Sequence, residues 1–186
     1  MMKIAITGSN GLIGLYLTEF FLEKGYTVYG LQRKKPKISH KNFKYYRYEL
    51  EEENFNFELV NVDVIVHTAY LEYSKLNKDA DNINFKGTQT IVNFYKGTKT
   101  KIIFLSTLSA HENAKSHYGI SKFKTEKLFE NSKHLVLKLG LVVGKGGLFE
   151  TINKFVNNSF LIPLIDGGKQ PIQLIHWNDL CKIIEK

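Results

Sequence analysis

The sequence predicts an α/β protein, a doubly wound parallel sheet with helices on both faces. Three observations lead there. Short β-type runs alternate with helical patterns along most of the 186 residues. One run, residues 62–66, is apolar almost without a break, as in a strand buried on both faces. A glycine-containing turn, Gly8-Ser9-Asn10-Gly11, joins the first strand pattern to the first helical one.

The elements follow in order. Residues 3–7 form a compact apolar strand. Leu12, Ile13, Tyr16, Leu17, Phe20 and Phe21 then recur at helical spacing, and Gly25 is placed to stop that helix. Residues 27–31 read as the second strand and 43–48 as a weakly alternating third. After the buried strand at 62–66 come a helix over 79–96, a strand over 101–105, a helix over 116–131 and a strand over 135–139. Such alternation implies right-handed crossovers between parallel strands. Beyond Leu139 the pattern loosens, punctuated by Gly144, Gly146, Gly147, Pro163, Gly167, Gly168 and Pro171. The last twelve residues read as a strand end followed by a helix. The expected organisation is a nucleotide-binding domain over 1–140 and a partial substrate-side region, 141–186, continuing the same unit.

Composition narrows the function classes. A hydrophobic fraction of 43% and a charged fraction of 24% are ordinary for a globular chain. The net charge of +8 comes in large part from Arg33, Lys34, Lys35, Lys37, Lys41, Lys44 and Arg47. A basic face suits anionic partners, but no nucleic-acid-binding signature accompanies it, so a solvated face is expected rather than a nucleic-acid site. Cys181 is the only cysteine, which excludes an intrachain disulfide and a cysteine-rich metal site. No metal is expected. The N-terminus lacks the long apolar region of a signal peptide, and no apolar run approaches membrane-spanning length. A reducing, cytoplasmic setting is the expectation.

The turn between the first strand and helix carries the strongest chemical signal. In Thr7-Gly8-Ser9-Asn10-Gly11-Leu12-Ile13-Gly14, the glycines allow a tight turn and a close approach of backbone to a pyrophosphate. That pyrophosphate would sit on the helix N-terminus, where free N–H groups and the dipole favour negative charge. The expected ligand is a dinucleotide, NAD or NADP. At the end of the second strand an acidic residue would accept from the adenosine ribose 2′-OH and favour NAD. Gln32-Arg33-Lys34 stands there instead, so the acid is missing, two cations are present, and NADP is the expected form.

A second signal lies downstream. Tyr118 and Lys122, in Tyr118-Gly119-Ile120-Ser121-Lys122, fall one turn apart on one helix face. A nearby ammonium stabilises phenolate, so the pair predicts a tyrosine with a lowered pKa, suited to acid–base work. Ser106 and Thr107 follow directly after the predicted strand at 101–105, where strand C-termini line the ligand crevice of a parallel sheet.

Taken together, these pieces resemble the extended short-chain dehydrogenase/reductases, in particular the NAD-dependent epimerase/dehydratase group acting on nucleotide sugars, and imply a Rossmann-like fold. Further matching segments are Asp63-Val64-Ile65-Val66-His67-Thr68-Ala69, Asn84-Phe85-Lys86-Gly87-Thr88, Leu137-Lys138-Leu139-Gly140-Leu141-Val142-Val143-Gly144 and Ile175-His176-Trp177-Asn178-Asp179-Leu180. The resemblance implies that Tyr118 is the general acid/base, that Lys122 bonds the nicotinamide ribose, and that Thr107 holds the substrate oxygen. It also implies that Thr68, Ala69 and Tyr70 pass close to the cofactor, that Leu139 borders the nicotinamide, and that Asn84 supports the cofactor side of the fold. A homodimer through the helices near Asn84 and Tyr118 is the family's usual assembly.

Departures from the family pattern refine these expectations. Leu108-Ser109 stand where dehydratases of the group carry Asp-Glu, which disfavours dehydration. The family's Leu-Arg-Pro is Leu137-Lys138-Leu139 here. The segment around His176 lies well inside a typical member, so the expectation is either a natively short protein or a truncated member whose substrate site is incomplete. The leading expectation is therefore an NAD(P)-dependent sugar-nucleotide epimerase or reductase. The alternative is a non-catalytic NADP-binding regulator or scaffold of the same fold.

Overall fold

The structure is a computed structural model and describes residues 2–36, 38–52 and 61–186. It divides into two compact units, Met1–Lys138 and Leu139–Lys186.

The first unit is a six-stranded sheet with helices α1 (Leu12–Glu23), α2 (Ala80–Phe94) and α3 (His117–Glu126). Its strands are β1 (Lys3–Thr7), β2 (Thr27–Gln32), β3 (Phe43–Arg47), β4 (Val64–His67), β5 (Lys101–Thr107) and β6 (Leu135–Leu139). They lie in the order β3-β2-β1-β4-β5-β6. β1 runs parallel to both β2 and β4, with Ile6 opposite Gly30 on one side and Val66 on the other. That order places the topological switch between β1 and β4, where ligands of such sheets bind at the strand C-termini.

Burial explains the pattern. Ile4, Ala5, Ile6, Ile65, Val66 and Ile102 are inaccessible or nearly so, because helices cover the central strands. One core cluster joins Ala5, Leu31, Ile65, Ile91, Tyr95, Ile102, Phe104 and Phe129, with the rings of Phe104 and Phe129 stacked at 5.0 Å. Each of its Leu, Ile and Phe side chains contributes about 1.5–3 kcal/mol by leaving water. Truncating Phe104 to Ala would cost about 3–5 kcal/mol.

Several boundaries differ from the sequence expectation. β4 starts at Val64 rather than 62, because Asp63 is a junction: its N–H donates to the Lys3 carbonyl at 2.9 Å and its carboxylate accepts from Lys3 N at 2.7 Å. β5 continues through Ser106 and Thr107, which are its last two residues rather than a following loop. Ser116 caps α3, its hydroxyl accepting from Gly119 N at 3.0 Å. The helix ends at Glu126, followed by a 3-10 turn over Lys127–Phe129, and Asn131 takes a left-handed φ of 55°.

The second unit contains β7 (Leu141–Val143) parallel to β8 (Leu174–His176), with helices α4 (Gly147–Asn158) and α5 (Trp177–Glu185). A Cβ on Gly140 would meet the Gln173 carbonyl at 2.2 Å, and Leu141 N donates to that carbonyl at 2.9 Å. β7 and α4 are additions to the sequence expectation. No residue of α4 is buried. Among the described residues, no helix is long and apolar enough to cross a membrane, and no group of three or more His, Cys, Asp or Glu could hold a metal ion.

Candidate active site

The glycine turn is built by hydrogen bonds within the first unit. Gly8 N donates to Leu31 O at 2.7 Å and Gly11 N to Gly8 O at 2.8 Å. Gly8 takes φ +67°, and a Cβ on Gly14 would lie 2.2 Å from the Gly8 carbonyl, so both positions require glycine. α1 begins at Leu12 with no side chain capping it, which leaves its N-terminal amides directed at the turn.

A cavity of about 320 Å³ opens beside this turn. Of the residues expected to bind cofactor, Gly8, Asn10, Gly11, Arg33, Thr68, Ala69 and Tyr70 line it. Ser9, Leu12, Ile13, Gly14 and Lys34 are not part of its wall. Ser9 is buried and donates to Gln32 Oε1 at 2.6 Å, while Gln32 Nε2 donates to the Lys34 carbonyl at 2.7 Å. Leu139 ends β6. The structure adds Gln32, Tyr48, Glu49 and Glu51, which also line the cavity. The signal for the last three was the adjacency of β3 to β2, which brings the C-terminal ends of both strands to one crevice. Arg47 pairs with Glu49 at 2.5 Å and with Glu52 at 3.6 Å, so part of this acidic edge is already balanced.

The cavity wall at Thr68–Leu71 rests on a chain of buried hydrogen bonds. Thr68 N and Ala69 N both donate to Thr7 Oγ1 at 3.1 Å. The Thr7 hydroxyl hydrogen is therefore directed to His67 Nδ1, 2.6 Å away. That assigns the ring proton to Nε2, which donates to Thr88 Oγ1 at 3.0 Å, and Thr88 in turn donates to the Asn84 carbonyl at 2.7 Å. Burial and, secondarily, the charge of Lys122 push the His67 pKa down to about 3, so the ring is neutral. The Asn84 amide completes the support, accepting from Leu71 N and donating to Leu71 O, both at 2.8 Å.

The expected acid–base residues, Tyr118 and Lys122, do not line this cavity; they pack against Tyr70, which does. The Tyr118 ring meets that of Tyr70 edge-on at 5.0 Å. Lys122 is 4% exposed; its ammonium donates to the Leu105 carbonyl at 2.7 Å and lies 4.9 Å from the Tyr70 ring and 4.6 Å from that of Phe104. Burial brings the Lys122 pKa down to about 7, against the opposing pull of Glu126. The expectation that Lys122 lowers the Tyr118 pKa is not met. Tyr118 is shifted upward, by burial first and by Glu72 second, and the lysine is engaged by Leu105 and the two rings. Thr107 is half-buried at the tip of β5, its Oγ1 accepting from Ser109 N at 3.2 Å.

Strand order, glycine turn and switch-point cavity together define a Rossmann-type α/β protein. The chain belongs to the NAD dependent epimerase/dehydratase family, whose profile matches residues 4–186. Among solved structures, a UDP-glucuronic acid 4-epimerase from Bacillus cereus, in complex with NAD and a fluorinated UDP-sugar, superimposes with a TM-score of 0.74 at 21% identity, over 97% of this chain and 71% of that one. The NAD-dependent NDP-hexosamine 5,6-dehydratase TunA gives a TM-score of 0.74 at 18% identity, over 100% of this chain and 71% of the enzyme. At these identities the likeness is one of fold. An uncharacterized protein of Mycobacterium tuberculosis is 22% identical over 98% of this chain, and the chain spans 20% of its length.

Proposed function

We propose that the chain is an NAD(P)-dependent sugar-nucleotide epimerase or reductase, with NADP as the preferred cofactor. The observation that carries this reading is the convergence of Tyr118 and Lys122 on Tyr70, which itself lines the cavity beside the glycine turn. Gly8, Asn10 and Gly11 would hold the pyrophosphate and Thr68–Tyr70 the ribose side. Arg33 would meet a 2′-phosphate, since Gln32 leaves no acid at the end of β2 to repel it.

The cofactor, when bound, supplies reversible hydride transfer at its nicotinamide C4. The chain's own residues handle the proton and the oxygen. Thr107 holds the substrate hydroxyl or carbonyl oxygen. Tyr118 takes the hydroxyl proton as a sugar carbon loses hydride, and gives it back when hydride returns. Return to the opposite face gives the epimer; a single delivery to a ketone gives reduction. Lys122 would bond the nicotinamide ribose on leaving the Leu105 carbonyl and, turned toward Tyr118, would favour the phenolate. Leu108 and Ser109 offer no carboxyl pair for eliminating water, which supports redox chemistry over dehydration. A homodimer would use α2 and α3, which pack against each other and leave Ile120 exposed.

Tyr118→Phe tests the mechanism on a panel of nucleotide sugars. The expected result is loss of turnover with NADP binding retained, and undiminished turnover would overturn the assignment. One feature favours a second reading, an NADP-binding regulator: the raised Tyr118 pKa and the engaged Lys122 leave the pair unprimed for acid–base work. Cofactor binding with no turnover across the panel in the unaltered chain would select that reading.

A further inference from the structure

We infer that Glu126 is a positioning residue that fixes the turn after β5 against α3 and, one helical turn from Lys122, helps that buried lysine keep its charge. This inference rests on the reading of Lys122 as a cofactor-side cation. Glu126 lies one helical turn beyond Lys122. Its carboxylate is largely buried, with 12% of the side chain exposed. One oxygen accepts from Ser106 Oγ at 2.5 Å, and the other pairs with Lys138 Nζ at 2.9 Å. Lys138 also donates to the Ala110 carbonyl at 2.7 Å, and Ala110 N closes a turn onto Thr107 O at 3.0 Å.

The consequence is geometric. Ser106 precedes Thr107 and Ala110 ends the turn that follows it, and both are tied to Glu126, one directly and one through Lys138. Since α3 also carries Tyr118 and Lys122, a single carboxylate links the three residues of the proposed acid–base site. Lys138 here occupies the place of the family's arginine. It pairs with Glu126 as a point charge and keeps a further donor for Ala110.

The consequence is also electrostatic. Lys122 is surrounded by groups that carry no charge at neutral pH. His67, on β4, is held neutral; Tyr70, on the loop after β4, is pushed up to about 12; and Tyr118, on α3, is shifted upward as well. Phe104 and the Leu105 carbonyl come from β5. Among the described residues, Glu126 is the anion whose field registers at Lys122, and it opposes the burial that would strip the lysine of its proton.

The test is a titration of Lys122 in the full chain, with no added ligand. Lysine is labelled with ¹³C at Cε, and the resonance is assigned by its loss in Lys122→Arg. Glu126→Gln keeps the shape but removes the charge, and the Lys122 midpoint should fall by one pH unit or more. Lys138→Met removes the competing cation, and the midpoint should rise. A merely structural Glu126 predicts otherwise: loosened packing admits water, and Glu126→Gln would move the midpoint up. A rise or no change in Glu126→Gln overturns the inference, and so does a fall in Lys138→Met. If Glu126→Gln does not fold, Glu126→Asp decides: it draws the charge back by one methylene, so the midpoint should fall, whereas loosened packing would raise it. NADP affinity of the unaltered chain is measured alongside. Its absence would sink the cofactor reading and leave the titration result standing.

Discussion

Ser9 and Gln32 are joined by a buried hydrogen bond of 2.6 Å, from the hydroxyl in the glycine turn to the side-chain carbonyl at the end of β2. The Gln32 amide is held at its other end by the Lys34 carbonyl. The residue that the proposed function sets against the adenosine ribose is thus neutral, buried and fixed in orientation. Arg33, the next residue, is exposed and lines the cavity.

This arrangement predicts the cofactor switch. Gln32→Glu keeps an acceptor for Ser9 but places a carboxylate at the ribose and removes the donor to Lys34. NADP affinity should fall at least ten-fold, roughly 1.4 kcal/mol, while NAD affinity holds or improves. Arg33→Met should weaken NADP by about 1.5–3 kcal/mol, the worth of a charge-assisted hydrogen bond, and spare NAD. Titration with both cofactors, followed by fluorescence or calorimetry, reads all of these. Equal losses for NAD and NADP in Arg33→Met would count against a 2′-phosphate contact.

The glycine turn makes a harder prediction. In Gly14→Ala the added methyl would sit 2.2 Å from the Gly8 carbonyl, so either α1 or the turn must move. The turn supplies part of the cavity wall through Gly8, Asn10 and Gly11. Cofactor binding should be lost, with destabilisation of about 1–3 kcal/mol from overpacking. Thermal unfolding measured beside binding separates the two effects; unchanged affinity would show that the turn is not the phosphate cradle.

These two sites also show what the sequence made legible. The apolar runs of β1, β4 and β5 announced buried parallel strands, and the turn between β1 and α1 was readable because its glycines sit between two clear periodicities. Glu49 and Glu51 were not readable as cavity residues, since only the sheet order brings the end of β3 beside Arg33. The upward shift of Tyr118 was equally hidden: helical spacing puts Lys122 one turn away, but not which acceptor takes its protons. α4 escaped because the glycines that flank it read as loop and masked the apolar positions recurring within it. Its Phe149, Ile152, Phe155 and Val156 were the available signal.

Lys122 should leave a mark on stability above neutral pH. Its folded pKa, about 7, lies below the model-compound value of 10.5, so the unfolded chain binds more protons between those values. Stability should therefore rise with pH from about 7 towards 10.5, by at most about 1.4 kcal/mol per pH unit from this group. Lys122→Met should flatten that rise. Urea melts at a series of pH values test it, and an identical slope in the variant would mean the ammonium stays hydrated.

His67 makes the corresponding prediction on the acid side. Its folded pKa, about 3, lies below 6.5, so the unfolded chain takes up the proton first as pH falls. Stability gained by keeping the ring neutral is present above about pH 6.5 and is lost progressively between 6.5 and 3. Forcing a proton onto Nδ1 would also break the Thr7 hydrogen bond, and Thr7 holds the Thr68 and Ala69 amides. Acidification should thus loosen the cavity wall before the sheet. Hydrogen exchange at Thr68 and Ala69 should accelerate between pH 6.5 and 4.5 beyond the intrinsic rate change, while the amides of β1 remain protected. Uniform loss of protection across both segments would show that His67 titrates only in global unfolding. His67→Asn separates this from general acid weakness: it removes the titrating ring, so it should be less stable at pH 7 yet lose less on acidification.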